Sequence, residues 1–248
     1  MPRFAGDDPV MRPEEFRLLR DLISARLGIT LSPDGGPQLA RRLRERLAVL
    51  NLATYAEYHH HLRFHPLAQL EWDEAVEHLT TNETYFFRQE LQLHAFRDEI
   101  LPRFAEANES RRAFNVWSAG CSTGEEAYTI AMIIADSGLF NHWDVRVFGS
   151  DISKRCVAAA RRGVYGASSF RTMSASEKNR HFLQRVDGAA VSDKLRGMCH
   201  FGQLNLLDED RSRIFGRIDV IFCRNVLIYL DAHARRRVID SFHDRLYP

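Results

Sequence analysis

The 248-residue chain lacks the features of a stapled, a membrane-spanning or a polyanion-binding protein. Its four cysteines, Cys121, Cys156, Cys199 and Cys223, are widely spaced with no CxxC pair, which leaves no readable disulfide framework or cysteine zinc site. Apolar runs are short: Ala131 to Ala135 is among the longest, far below the ~18 to 20 residues of a membrane span. Charges recur throughout the first 30 residues, so no signal peptide is expected either. Charge of one sign is not in excess, since 34 basic and 33 acidic residues leave +1 and no global field toward nucleic acid or membrane. Lysine is scarce, with only Lys154, Lys178 and Lys194 among the cations. What is present, 45% hydrophobic and 27% charged residues, is ordinary globular composition and excludes disorder, collagen and coiled coil. The expectation is a protein of a reducing cytoplasm, without membrane insertion.

From Pro13 to Thr80 the periodicity is helical. Phe16, Leu19, Ile23 and Leu27 recur at three-to-four spacing until Gly28 ends the pattern. After the turn cluster Ser32 to Pro37, Leu39, Leu43, Leu47 and Leu50 form an apolar stripe, with Arg41 and Arg44 opposite it and Arg42 and Arg46 flanking. Two more helices are expected over residues 54–64 and 67–79. His59, His60 and His61 are adjacent on a helix, point about 100° apart and cannot converge on one ion, so no metal is expected.

Beyond Thr80 the pattern alternates. Strands are expected over 114–118, 145–150, 198–204 and 218–223, between helices over 91–107, 124–137, 153–162 and 231–246. Such alternation implies a parallel sheet covered on both faces, and the fold class is α/β. The polar stretch 163–197 reads as an insertion before the third strand. The domain reading is thus 1–80 helical, 81–90 a cleft-lining linker, and 91–248 the α/β domain.

Ligands of open parallel sheets bind where strands end at their carboxyl side, which makes the segment Phe114 to Tyr128 the first candidate. It is not a phosphate loop. Gly120 and Gly124 lack a following Lys-Ser or Lys-Thr, and Glu125 and Glu126 open the next helix, so a ligand bearing an ammonium or sulfonium charge fits better than a pyrophosphate. The two glutamates could also serve only the helix dipole. Asp151, at the tip of the second expected strand, stands where a carboxylate accepts from ribose hydroxyls, although it or Ser153 could instead cap a helix. The fourth strand runs out into Arg224, Asn225 and Tyr229 beside the first, and Thr80 to Arg88 packs hydrogen-bonding side chains at the domain junction.

Thr81-Asn-Glu-Thr-Tyr-Phe-Phe-Arg88, Trp117-Ser-Ala-Gly-Cys-Ser-Thr-Gly-Glu-Glu126, Gly149-Ser-Asp151, Asn205-Leu-Leu-Asp208 and Phe222-Cys-Arg-Asn-Val-Leu-Ile-Tyr229 together closely resemble the CheR family of chemotaxis-receptor glutamate O-methyltransferases. The resemblance runs in order along nearly the whole chain. It implies a Rossmann-like S-adenosylmethionine-dependent methyltransferase domain with a small β insertion, preceded by a small all-α domain. It further implies that Asn82, Thr84, Arg88, Glu125, Asp151, Asn205, Leu206, Arg224 and Asn225 line the S-adenosylmethionine site, with Arg88 and Tyr229 near the reacting groups. The implied partners are methyl-accepting chemoreceptor helices, met as a monomer through Arg41, Arg42, Arg44 and Arg46, with no nucleic acid. Residues 1–78 carry 10 arginines against 12 acidic residues, whereas 35–65 is locally +3, which suits a short acidic protein surface better than a duplex. Family members continue past Leu246-Tyr247-Pro248 with further strands, so a sheet lacking those strands is expected here. The alternatives are a cofactor-binding regulator without catalysis and a methyltransferase with another acceptor.

Overall fold

The computed structural model describes residues 9–247, which divide into two compact units: residues up to 81 together with 226–239, and residues 82–225 together with those from 240 onward. In the first unit α1 (Pro13–Leu27), α2 (Gly36–Leu50), α3 (Tyr55–Phe64) and α4 (Ala68–Leu79) follow the sequence periodicity. Proline in the first turn starts α1, and Gly28 ends it in the left-handed region at φ 71°, returning its N–H to Ser24 O. Leu39, Leu43 and Leu47 are buried as their stripe predicts, while Leu50 at the helix end stays only half-buried. Glu15 joins two helix starts: one carboxylate oxygen accepts from Arg12 N at 2.7 Å and the other from Ala56 N at 3.1 Å.

The two flanking arginines of α2 are used inside this unit. Arg42 donates to Leu79 O at 2.6 Å. Arg46 makes a two-point pair with Glu71, at 2.9 and 2.6 Å, and Tyr58 Oη donates to the same carboxylate at 2.7 Å. Glu71 is 4% exposed, so its charge is tolerated only because these donors replace water. Glu71→Ala would leave the Arg46 guanidinium only the longer contact to Glu74, at 3.8 Å, and we expect a loss of about 3 kcal/mol in urea unfolding. The double variant Arg46→Leu, Glu71→Leu should recover most of it; equal losses in both would refute the stranded-charge account.

Residues 226–231 belong to this unit and pair with the segment after α1: Thr30 N donates to Tyr229 O at 2.8 Å, Asp231 N donates to Gly28 O at 2.9 Å, and Ser24 Oγ donates to the Asp231 carboxylate at 2.8 Å.

The second unit opens with α5 (Glu90–Ala95), which passes through a five-residue wide turn at Phe96–Ile100 into α6 (Leu101–Ala107). Pro102 has no N–H to return to Asp98, which accounts for the widening. There follow β1 (Ala113–Ala119), α7 (Glu125–Ser137), β2 (Asp144–Asp151), α8 (Lys154–Arg162), β3 (Val164–Tyr165), a short 3-10 turn at Ala167–Phe170, α9 (Ala175–His181), β4 (Phe182–Arg185), β5 (Gly188–Val191), α10 (Asp193–Met198), β6 (Cys199–Gln203), α11 (Glu209–Ser212), β7 (Val220–Phe222) and α12 (Ala232–Arg245). Residues 240–245 of α12 belong here and place Phe242 against Trp117.

Among the described residues the main sheet runs in the order β6-β2-β1-β7 with every pair parallel, so all four carboxyl ends share one edge. β7 lies beside β1 as expected, and Ile218 forms a parallel bridge with Leu246. The insertion folds as a second, antiparallel sheet, β3-β5-β4. Its polar sequence conceals a shared core: Tyr165, Phe170 and Phe182 pack in the same buried cluster as Phe86, Phe114 and Ile130.

Candidate functional site

At the carboxyl edge, β1 leaves the sheet through Gly120 to Gly124 and re-enters order as α7. Gly120, Ser122 and Gly124 all lie in the left-handed region, at φ 78°, 48° and 96°. The loop returns two donors to one acceptor, Gly120 N and Cys121 N both reaching Ser150 O, at 2.8 and 2.9 Å. Ser122 is the strained member, and three partners hold it. Its N–H donates to Asp151 Oδ2 at 2.8 Å, its hydroxyl donates to Asn82 O at 3.1 Å, and its Oγ lies 3.9 Å from Cys156 Sγ.

Asp151 ends β2 and is 8% exposed. Its other oxygen accepts from Ser153 N at 2.9 Å, so the carboxylate ties the loop after β1 to the turn after β2. The N-cap of α8 is Ser153, whose Oγ accepts from Cys156 N at 2.9 Å. Asp151 O accepts from Leu204 N at 2.9 Å, which brings the end of β6 to the same place. Beyond it Asn205 Oδ1 accepts from Leu207 N at 3.0 Å, and Leu206 is half-buried against the Trp117 cluster.

The two glutamates of α7 diverge. Glu125, expected to line the site, turns the other way: it is 2% exposed, and its oxygens accept from Thr123 Oγ1 at 2.6 Å and Ser169 Oγ at 2.9 Å. Burial pushes its carboxyl up, against those hydrogen bonds. Glu126 is the one that faces the strand ends. It accepts from Ser118 Oγ at 2.7 Å and meets Arg224 Nη1 at 3.3 Å. Burial raises its carboxyl too, while Ser118 and the charges of Arg224 and Arg88 pull it back. Neighbouring helix positions point about 100° apart, so the pair Glu-Glu marks the helix start but not which member faces inward. Ser118, wholly buried on β1, was equally invisible as a partner.

Arg224, just past β7, crosses to the segment after Asn82. It donates to Arg88 O, to Gln89 O at 3.3 Å and to Gln92 Oε1 at 2.7 Å. Arg88 donates to Glu83 O at 2.6 Å and stands over the Tyr85 ring. Its two neighbours, Phe87 and Gln89, both have φ 56°. Asn225 follows in the left-handed region at φ 59°, and Asn82 and Thr84 are half-buried. Thus two sets of contacts form within one unit, Asn82–Ser122–Asp151 and Glu126–Arg224–Arg88. Tyr229 and the α2 arginines belong to the other unit. Of those arginines, Arg41 and Arg44 are exposed, whereas Arg42 and Arg46 are committed as described and do not form the expected outward-facing set.

Two thiols border this edge. Cys121 is 1% exposed, and burial with the Asp151 and Glu126 charges pushes its thiol well up; Cys223 is pushed up to about 12 by burial and Glu126.

The donor set fits S-adenosylmethionine. Carboxylates at Asp151 and Glu126 and carbonyls of a glycine loop suit hydroxyl, ammonium and sulfonium groups, and Gly124 lets the loop pack closely on α8, where a Cβ would stand 2.7 Å from Ala160 Cβ. Among the described residues no helix is long and apolar enough to cross a membrane.

Comparison with known proteins agrees. Residues 82–248 match the CheR methyltransferase SAM-binding domain and residues 14–80 the CheR methyltransferase all-alpha domain. The chain is 36% identical over 253 residues to chemotaxis protein methyltransferase 2 of Pseudomonas aeruginosa, covering 100% of this chain and 87% of the relative. It is 31% identical over 246 residues to chemotaxis protein methyltransferase 2 of Vibrio cholerae serotype O1, covering 96% and 83%. An O-methyltransferase family protein from Burkholderia thailandensis aligns in structure at TM-score 0.35 and 16% identity, over 95% of this chain and 72% of that one, too distant a likeness to carry weight. The two domain matches in tandem, over a chain whose parallel strand ends gather a glycine loop and paired carboxylates, show that it belongs to the CheR family of S-adenosylmethionine-dependent methyltransferases.

Proposed function

We propose that this enzyme esterifies glutamate side chains of chemoreceptor cytoplasmic helices, acting in the cytoplasm as a monomer. The observation that supports the reading is the Asp151–Ser122 and Glu126–Arg224 pair of contacts at one sheet edge, which gathers carboxylates of the kind that suits a cationic, ribose-bearing cofactor. S-adenosylmethionine, when bound, supplies a methyl group activated on a sulfonium. Asp151, Asn205 and Leu206 are proposed for its adenosine end, and Glu126, in place of Glu125, with Asn82, Thr84, Arg224 and Asn225 for its charged end.

The acceptor needs no general base, because a glutamate of pKa ~4.3 is already ionised at neutral pH. Alignment and exclusion of water are what the protein must supply, since opposite charges are cancelled as the methyl moves and a dry site penalises them less. A tight contact from Arg88 would blunt the nucleophile. Its hydrogen bond to Glu83 O and its place over Tyr85 support a positioning role. Tyr229 is proposed for a weaker hydrogen bond to the acceptor on the family pattern.

The test is calorimetric titration with S-adenosylhomocysteine followed by transfer of labelled methyl from S-adenosylmethionine to a chemoreceptor cytoplasmic fragment. Saturable binding and base-labile label on the fragment are expected. Binding with no transfer would point to a regulator, and transfer only to other acceptors would replace the substrate assignment.

Arg41 and Arg44 are proposed to meet the acidic receptor surface. Arg41→Glu with Arg44→Glu should raise KM for the receptor fragment roughly tenfold while leaving cofactor affinity unchanged, with the effect fading at high salt. Unaltered receptor kinetics would leave these residues as a solvated helix face.

A further inference from the structure

Two residues of the insertion each grip two segments of the cofactor edge at once. Ser169, 9% exposed in the short turn after β3, donates from Oγ to Glu125 Oε1 at 2.9 Å, while its backbone O accepts from Phe86 N at 3.0 Å. Tyr165, on β3, donates from its hydroxyl to Thr123 O at 2.7 Å and sets its ring edge-on to Phe86 at 4.9 Å. One contact of each pair therefore lands where the loop after β1 enters α7, and the other on the segment that carries Asn82 and Arg88.

Phe86 is the anchor of that segment. It is wholly buried among Tyr165, Phe170 and Phe182, all from the insertion, and its carbonyl accepts from Thr172 Oγ1 at 2.5 Å. Immediately after the anchor the backbone is strained on both sides of Arg88, where Phe87 and Gln89 have φ 56°. Left-handed conformations at residues with side chains persist only where surroundings impose them. The surroundings here are the insertion on one side and Arg224 on the other.

We propose that the inserted sheet is a positioning element for the cofactor: Tyr165 and Ser169 lock the Asn82–Arg88 segment to the Thr123–Glu125 loop, and this lock sets the affinity for S-adenosylmethionine. The proposal rests on the reading above that Asn82 and Thr84 on the first segment, and Glu126 directly after the second, hold that cofactor. Glu125, turned away from the cleft, is the buried post to which the lock is fastened; a carboxyl in that place is costly unless Ser169 and Thr123 both serve it. The insertion thereby acts on the site without lining it.

The experiment uses the full chain and compares wild type with Ser169→Ala, Tyr165→Phe, their double variant, Ser169→Thr and Val191→Ala. The last loosens a buried residue of β5 that has no side-chain hydrogen bond to give. S-adenosylhomocysteine dissociation constants, KM and kcat for S-adenosylmethionine, and thermal unfolding are read on each. Each single variant should raise the dissociation constant and KM about 3- to 10-fold, and the double variant more, with kcat at saturation changed less than about twofold. Ser169→Thr keeps the hydroxyl and should bind as wild type, and Val191→Ala should unfold earlier yet bind normally. Unchanged affinity in the folded single variants overturns the proposal, and so does an equal loss in Val191→Ala, which would mean general loosening. A folded wild type that binds no S-adenosylhomocysteine overturns the functional reading itself, and the proposal with it.

Discussion

Gly124→Ala is expected to weaken S-adenosylhomocysteine binding by at least ~100-fold, the combined cost of strain and collision being about 3 kcal/mol. The residue has φ 96°, a region that side chains rarely enter. A Cβ there would stand 2.7 Å from Ala160 Cβ and 3.0 Å from the Tyr165 hydroxyl. Neither obstacle can give way easily. Ala160 is wholly buried on α8 with its own Cα only 3.1 Å from the new atom, and the Tyr165 hydroxyl is held by Thr123 O. The loop must move instead, taking with it the start of α7 and Glu126. Gly197→Ala, whose Cβ meets nothing within 4 Å, is the matched control and should bind as wild type. Calorimetry on both variants, with circular dichroism to show that each is folded, decides the matter; a Gly124→Ala affinity within threefold of wild type would remove this loop from the site.

Asp151→Ala should produce the second large loss, in two measurements together. The carboxylate accepts from two backbone donors, Ser122 N and Ser153 N, both in buried surroundings. Its removal leaves those donors unpaired, at roughly 1 to 3 kcal/mol each, and frees Ser122 from the left-handed conformation that the contact helps to impose. We expect a fall of about 2 to 4 kcal/mol in urea unfolding and more than ~100-fold in affinity for S-adenosylhomocysteine. Asp151→Asn keeps one acceptor oxygen and should fall between. Lost affinity with undiminished stability would make Asp151 a ligand alone, and lost stability with intact affinity would make it a latch alone.

Where local pattern and tertiary environment ask for the same thing, the sequence was readable. The leucine stripe of α2 is apolar at helical spacing and is buried, and strands ending in small or polar residues do place the loop after β1, Asp151 and Arg224 along one edge. Where the answer depends on the packing partner, it was not. Arg46 looks like any arginine beside an apolar stripe until Glu71 and Tyr58, from two other helices, are seen to enclose it. The orientations of Glu125 and Glu126 differ by 100° of helix rotation, and their partners, Ser118 for Glu126 and Ser169 for Glu125, lie 8 residues before the one and 44 residues after the other. The insertion was legible as an insertion, and as a β element through the resemblance, but its strands were not legible in local pattern, because its buried aromatics are few and its exposed turns many. Alternation of polar and apolar residues over two- and four-residue strands is too brief to register.

The thiols bordering the strand ends carry one more consequence. A cysteine reacts with peroxide, or with an alkylating reagent, as its thiolate, and Cys121 and Cys223 are both held in the protonated form by burial and by neighbouring carboxylates. On the folded protein both thiols are therefore expected to react slowly with an alkylating reagent, and unfolding in urea should speed the labelling.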